Sequence, residues 1–413
     1  MKNKSCALIG ARLGHSYSKI IHDAFNLYDY SLKSIDEWDL DAFLKSLPFD
    51  GLNVTIPYKK TVMPYCSLIS EDAKRIGCVN TLVKTQNGIE GYNTDYYGFL
   101  SMAKRKRISF KGKNVVILGD GGTSLTARTV CKDEGAKSIK IVSRKGDINF
   151  NELDKVSDCE ILINTTPVGM YPNNSDFLVN LDSFPNCEAV LDVIYNPLRT
   201  SILFEARKKG LKCSGGLYML VAQAAKSGEY FSGEKIADEE IEKVFKTLAL
   251  EVQNIVLIGM PGCGKSTIGK LLAEMLNRKF IDTDEEIEKR AGISIPEIFK
   301  KYGEKLFRKL ESEVIADFSK EKNLIIATGG GAVLNSQNMK LLALNGRIYY
   351  IKRSVEKLST DGRPLSKSLD ELRKMYYKRN PLYATSCDFE VSNDGDINDA
   401  VSAIKEEFLN SEI

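Results

Sequence analysis

Short apolar runs rich in β-branched residues alternate with longer stretches of helical period along the 413-residue chain, which predicts an α/β fold built on parallel sheets. Two glycine-rich turns sharpen that prediction. "VVILGDGGTSLTA" (115–127) and "NIVLIGMPGCGKST" (254–267) each run from a strand through glycines into a helix start. Such a turn aims backbone N–H groups and a helix N-terminus at phosphate oxygens, so one nucleotide site is expected in each half.

The elements follow in order. "VVILG" (115–119), "SIKIVS" (138–143), "ILINTT" (161–166) and "AVLDVIY" (189–195) read as buried strands of a parallel sheet, each a short apolar run. The helical stretch "ADEEIEKVFKTLALEV" (237–252) then gives way to "NIVLIG", which starts a new sheet. A domain boundary is expected near residues 247–252, with a short linker, since no Gly/Ser or Pro tract is present. Length and 43% apolar content allow two or three domains with sizeable cores.

Composition excludes several classes. The 58 basic residues nearly balance the 55 acidic ones without forming blocks, so neither nucleic acid nor a membrane surface is an expected partner, and no protein partner is called for. The opening "MKNKSCALIGARLGHS" has a five-residue apolar run, too short for a signal peptide or an anchor. No later segment is long enough to span a bilayer. The nine cysteines lack C-x-x-C spacing and histidine neighbours, which favours reduced thiols in a cytoplasmic enzyme over disulfides or zinc.

In the second half, "GMPGCGKS" fits G-x-x-x-x-G-K-[ST] between a strand and an amphipathic helix. Gly262, Gly264, Lys265, Ser266 and Thr267 are the ATP-phosphate candidates, with Lys265 neutralising charge and Ser266 available to Mg2+. "FIDTD" offers Asp282 and Asp284, two apart on one side of an extended segment, as carboxylates for a metal ion and an alcohol; helix capping is the alternative. "FRKLE" places Arg308 and Glu311 on one helix face, where an exposed ion pair is the plainer reading. "ATGGGAV" (327–333) suits close backbone approach to a ligand.

From 254 to about 393 these motifs, followed by "GRPLS" and "RNPLY", resemble shikimate kinase in kind and order. The resemblance implies a nucleoside-monophosphate-kinase-like P-loop domain over 252–413. It also implies that Asp284, Arg308, Arg379, Gly330 and Gly331 hold shikimate, that Asp282 acts on Mg2+ together with Ser266, and that Arg363 closes over the transferred phosphoryl group from a lid. Asp284, Lys265 and Arg363 would be the catalytic groups. The lid between "SVEKLS" and "GRPL" is shorter than the family pattern, and a basic residue near the adenine is missing from its usual place.

In the first half the glycine turn is G-x-G-G-x-x, and the next strand ends in "SRK", whose Arg144 and Lys145 suit a 2'-phosphate better than bare ribose hydroxyls. Upstream, Asn53, Thr55, Lys59, Asn80 and Asp95 are polar groups at strand ends, a lining fit for a polyhydroxylated ligand. His15 and His22 are read as packed rather than reactive, leaving Lys59 beside an aspartate as the acid.

H-S-x-S, N-V-T-x-P-x-K, N-T-D-x-x-G, "INTTPVGM", "DVIYNP" and "GGLYMLVAQAA" resemble shikimate dehydrogenase over about 5–247. The resemblance implies a substrate domain over 1–100, completed by helices in 217–247, and a Rossmann-like NADP domain over 101–216. Ser16, Ser18, Thr55, Lys59, Asn80, Asp95, Tyr195 and Gln223 would bind substrate, with Lys59 and Asp95 the catalytic pair. Gly119, Gly121, Gly122, Ser143, Arg144 and Lys145 would take NADP. Asp120 departs from the pattern by placing a carboxylate in the turn. Together the halves would reduce 3-dehydroshikimate to shikimate with NADPH and phosphorylate it with ATP. The alternatives for the first half are an NAD-dependent quinate/shikimate dehydrogenase, or a non-catalytic binding module.

Overall fold

The computed structural model describes residues 4–13, 17–146, 148–172, 178–358 and 369–411. His15, Ser16 and Arg363, and the lid motif "GRPLS", lie outside the described residues. The chain divides into two compact units, one of Met1–Asn196 with Thr200–Leu248 and one of Pro197–Arg199 with Ala249–Ile413. The division at Leu248 falls inside a continuous helix, Asp238–Val252, because that segment keeps its helical period with no glycine or proline to stop it.

The first unit contains two sheets. β1 (Ser5–Gly10), β2 (Asp29–Ser34), β3 (Gly51–Val54), β4 (Leu68–Ile69), β5 (Thr81–Thr85) and β6 (Gly88–Tyr92) form a mixed sheet in the order 2-1-3-5-6-4. Strand alternation gives this sheet two buried faces. Ala7, Ile9, Leu52 and Val54 pack on Leu40, Leu44 and Ala73, while Cys6 and Leu8 pack on Tyr28, Tyr30 and Phe231. Phe231 comes from helix Leu217–Ser232, so a late segment completes the core of the first sheet.

β7 (Asn114–Leu118), β8 (Ser138–Val142), β9 (Ile161–Asn164), β10 (Ala189–Asp192) and β11 (Lys212–Ser214) form an all-parallel sheet in the order 11-10-9-7-8. β10 ends sooner than the run "AVLDVIY" suggests. The buried Asp192 carboxylate accepts hydrogen bonds from Ile194 N at 3.0 Å and Thr200 Oγ1 at 2.6 Å, turning the chain out of the sheet.

Helix Asp95–Arg105 lies against helix Leu217–Ser232 at a glycine. A Cβ added at Gly98 would stand 2.6 Å from the carbonyl oxygen of Met219 and 2.9 Å from Cβ of Gln223. Alanine improves helix propensity by about 1 kcal/mol, but forcing a methyl onto a backbone oxygen costs roughly 1–3 kcal/mol. Gly98→Ala is therefore expected to destabilise the first unit despite its better propensity, measurable as an earlier denaturant midpoint.

In the second unit β12 (Asn254–Ile258), β13 (Lys279–Asp282), β14 (Leu324–Ala327), β15 (Gly346–Lys352) and β16 (Phe389–Ser392) form an all-parallel sheet in the order 13-14-12-15-16. Every residue of β12 and β14 is buried, as expected of strands covered on both faces. The fold is thus α/β throughout. Among the described residues no helix is long and apolar enough to cross a membrane.

Candidate active sites

In the first unit the strand ends open into a cavity of about 520 Å³ that gathers Ser18, Thr55, Lys59, Asn80, Asp95, Tyr195 and Gln223. Lys59 follows β3, and Asp95 opens its helix, where the Asn93 side chain accepts the Asp95 N–H at 3.1 Å and anchors the backbone at the helix start. Lys59 Nζ lies 2.6 Å from Asp95 Oδ2. Burial pulls the Lys59 pKa down, yet the charge of Asp95 and its hydrogen bond outweigh burial, so the ammonium sits above the ordinary lysine value. Lys59 is therefore a protonated donor at neutral pH.

Asn80 stands just before β5, and its Oδ1 accepts the Thr94 N–H at 2.8 Å. Thr94 Oγ1 is also 3.3 Å from Oε1 of Gln223, so it links the sheet to the late helix. Sequence reading passed over Thr94, although it sits inside the N-T-D run, and also Arg12, which joins the cavity lining. His22 is packed as expected. It stacks on Tyr30 with ring centroids 3.9 Å apart and hydrogen-bonds Tyr28, and burial drives its pKa down to about 3, leaving it uncharged.

The glycine turn of Gly119, Gly121 and Gly122 joins β7 to helix Gly122–Asp133. Of this stretch only Thr123 reaches the cavity lining. Arg144 and Lys145 are exposed beyond β8, while Ser143 is buried and donates to Asp120 Oδ2 at 3.0 Å. Asp120 therefore turns sideways toward β8.

In the second unit a cavity of about 590 Å³ brings together the loop residues Gly262, Gly264, Lys265, Ser266 and Thr267 with Asp282, Asp284 and Arg308, and with Gly330, Gly331 and Arg379. Gly264 has a left-handed φ of 99°, and a Cβ there would stand 2.5 Å from Asn393 Nδ2. That amide donates to the carbonyl of Cys263 at 2.7 Å and braces the loop from the exit of β16, a role no local motif announces. Lys265 is buried, donating to the carbonyls of Gly259 and Met260 at 3.0 Å each.

Asp282 and Asp284 do not share an extended segment. Asp282 ends β13 and caps the helix Thr283–Ala291, accepting the Asp284 N–H at 3.0 Å through Oδ1, while Oδ2 takes the Ser266 hydroxyl at 2.6 Å. Capping and site geometry thus coincide. Burial first, then the charge of Asp282, raises the Asp284 carboxyl to about 6, against the pull of Lys265 and Arg308.

Arg308 and Glu311 are not an exposed surface pair. They lie beyond a break at Gly303 in helix Ile295–Phe318, and Arg308 Nη1 donates at 2.9 Å to Glu311, whose side chain is 1% exposed. The triple glycine lines the cavity and is also closely approached by protein groups. A Cβ at Gly329 would meet Asp284 Oδ1 at 2.5 Å and Glu311 Oε1 at 3.0 Å, and one at Gly330 would meet Pro261, so these glycines make room for protein groups. Gly330 O accepts from Arg379 Nη1 at 2.9 Å and from Tyr383. Arg353, just past β15, lines the same cavity with its buried Nε unpartnered, supplying a cation that sequence reading had not located.

Among the described residues no three His, Cys, Asp or Glu side chains cluster to hold a metal ion. Magnesium bound with a nucleotide needs only one or two protein oxygens, and the Ser266–Asp282 pair fits that requirement.

Comparison with known proteins finds a match for each unit. The family model described as "Shikimate dehydrogenase substrate binding domain" matches residues 8–82, and that described as "Shikimate kinase" matches residues 261–409. A shikimate dehydrogenase (NADP(+)) of Clostridium perfringens (strain 13 / Type A) is 38% identical over 266 residues, covering 59% of this chain and 98% of that protein. The crystal structure of a chorismate mutase/shikimate 5-dehydrogenase fusion protein from Clostridium acetobutylicum aligns with a TM-score of 0.56 and 36% identity, over 60% of this chain and 98% of that one. Shikimate 5-dehydrogenase from Thermus thermophilus, solved in complex with NADP(H) and shikimate, aligns with a TM-score of 0.54 and 28% identity, over 59% of this chain and 99% of that one. The chain belongs to the shikimate dehydrogenase family through its first unit and carries a shikimate kinase domain in its second, joining two shikimate-pathway enzymes in one polypeptide.

Proposed function

We propose that the first site reduces the ketone of 3-dehydroshikimate to shikimate and that the second phosphorylates the hydroxyl so formed, giving shikimate 3-phosphate. The observation that carries this reading is the pairing of the two cavities: one holds Lys59 2.6 Å from Asp95 among hydroxyl-binding side chains, and the other sets Asp284, Arg308 and Arg379 opposite the phosphate loop. Bound NADPH supplies the hydride, and ATP with Mg2+ supplies the phosphoryl group and screens its charge.

In the first cavity the Lys59 ammonium gives its proton to the carbonyl oxygen as that oxygen gains charge, and Asp95 holds the ammonium in place. Asn80, Tyr195 and Gln223 offer hydrogen bonds to the ring hydroxyls. Gly119, Gly121, Gly122 and the basic Arg144 and Lys145 hold the dinucleotide.

In the second cavity Asp284 takes the proton of the attacking hydroxyl, and the guanidinium forks of Arg308 and Arg379 hold the substrate carboxylate. Glu311, fixed on Arg308, keeps that fork in position. Lys265 exchanges its loop carbonyls for phosphate oxygens, while Ser266 and Asp282 hold Mg2+.

The test is to silence each site separately. Lys59→Ala should slow reduction of 3-dehydroshikimate by about 10²- to 10⁴-fold and leave phosphorylation of added shikimate intact, and Lys265→Ala should cripple phosphorylation and leave reduction intact. Loss of both activities in either variant contradicts two independent sites. Arg353→Ala is expected to raise KM for ATP by about tenfold, the value of one charge-assisted hydrogen bond, with KM for shikimate unchanged. Steady-state kinetics with each substrate varied in turn separates the two effects.

A further inference from the structure

Asp120 is exposed in the turn after β7, and its carboxylate is tied by a 3.0 Å hydrogen bond to Ser143, the first residue after β8. β7 and β8 are neighbours whose last residues pair, Leu118 with Val142, so the two chain exits lie side by side at the C-terminal edge of the sheet. In dinucleotide folds of this kind the group at the end of the second strand reads the adenosine ribose. A carboxylate there accepts the 2'-hydroxyl of NAD, and a basic group takes the 2'-phosphate of NADP.

This chain presents both signals at that place. Arg144 and Lys145 suit a phosphate, while Asp120 brings a carboxylate across from the first strand's turn onto Ser143. We propose that Asp120 sets the cofactor specificity of the first site, accepting the ribose 2'-hydroxyl and opposing a 2'-phosphate, so that the site takes NADH as well as NADPH. The inference rests on the reading of the first site as a nicotinamide-dependent reductase.

Asp120→Asn is the informative variant, because it keeps a partner for Ser143 and removes only the charge. Dissociation constants for NADPH and NADH, measured by fluorescence titration of the full chain, test the inference without turnover; kcat/KM for both cofactors with 3-dehydroshikimate tests the reductase reading. The unaltered chain should bind both cofactors. The Asn variant should bind NADPH about tenfold more tightly with no gain for NADH, as removal of a like charge near a phosphate requires. Arg144→Ala should move the ratio the other way. An unchanged NADPH-to-NADH ratio in the Asn variant, or no NADH binding by the unaltered chain, overturns the role of Asp120. Binding of both cofactors without reduction of the ketone would instead refute the reductase reading, and the binding ratio would still judge Asp120.

Discussion

Lys59→Ala is expected to lower the turnover of ketone reduction by about 10²- to 10⁴-fold, the usual worth of a positioned general acid, while the kinase activity of the same chain stays at its original level. The direction follows from the 2.6 Å pair with Asp95. Because the partner raises the Lys59 pKa above the ordinary lysine value, the donor form persists through neutral pH, and reduction should lose rate only when the pH climbs past that raised pKa. The reverse oxidation needs the neutral amine and should gain rate over the same range. A pH profile of kcat in both directions checks the assignment. Asp95→Asn should weaken the pairing and move both profiles toward lower pH.

Asp284→Asn is expected to cost the kinase about 10²- to 10⁴-fold in kcat through loss of the base. It should also make the second unit more stable. The Asp284 carboxyl titrates at about 6 in the folded chain against an ordinary aspartate value of 3.8, so folding favours the protonated form. Stability from this group is fully present below its unfolded pKa and is lost as the pH rises through about 6. Asparagine has no charge to desolvate, so the variant should exceed the original protein by roughly 2–3 kcal/mol at pH 8, with the difference shrinking at pH 5. Calorimetry of the full chain at the two pH values reads this directly. A variant less stable at pH 8 would show that Asp284 is not a strained group kept for chemistry.

Legibility in the sequence followed the range of the interactions. Lys59, Asp95 and the phosphate loop were readable because their chemistry is set by short motifs at fixed positions on strand and helix ends. Thr94 was not, since its partner Gln223 lies 129 residues away. Asn393 braces Cys263 from 130 residues away, and nothing near either residue signals the contact. The glycines after β14 line the cavity, but spacing shows only where backbone is bare and not which protein groups also approach it. Here those groups are Asp284, Glu311 and Pro261. Arg308 and Glu311 looked like a surface pair because helix periodicity places them on one face without telling which side that face turns to; the structure buries Glu311. Asp120 was ambiguous for the same reason, as its orientation depends on Ser143 across the sheet.

The most direct test of two consecutive reactions on one chain is to incubate the purified protein with 3-dehydroshikimate, NADPH, ATP and Mg2+ and to weigh the products by mass spectrometry. Shikimate 3-phosphate should form when both nucleotides are present, shikimate alone when ATP is withheld, and neither when NADPH is withheld. Unreduced 3-dehydroshikimate in the complete mixture, with added shikimate still phosphorylated, would contradict the account by leaving the first cavity without the reduction assigned to Lys59 and Asp95.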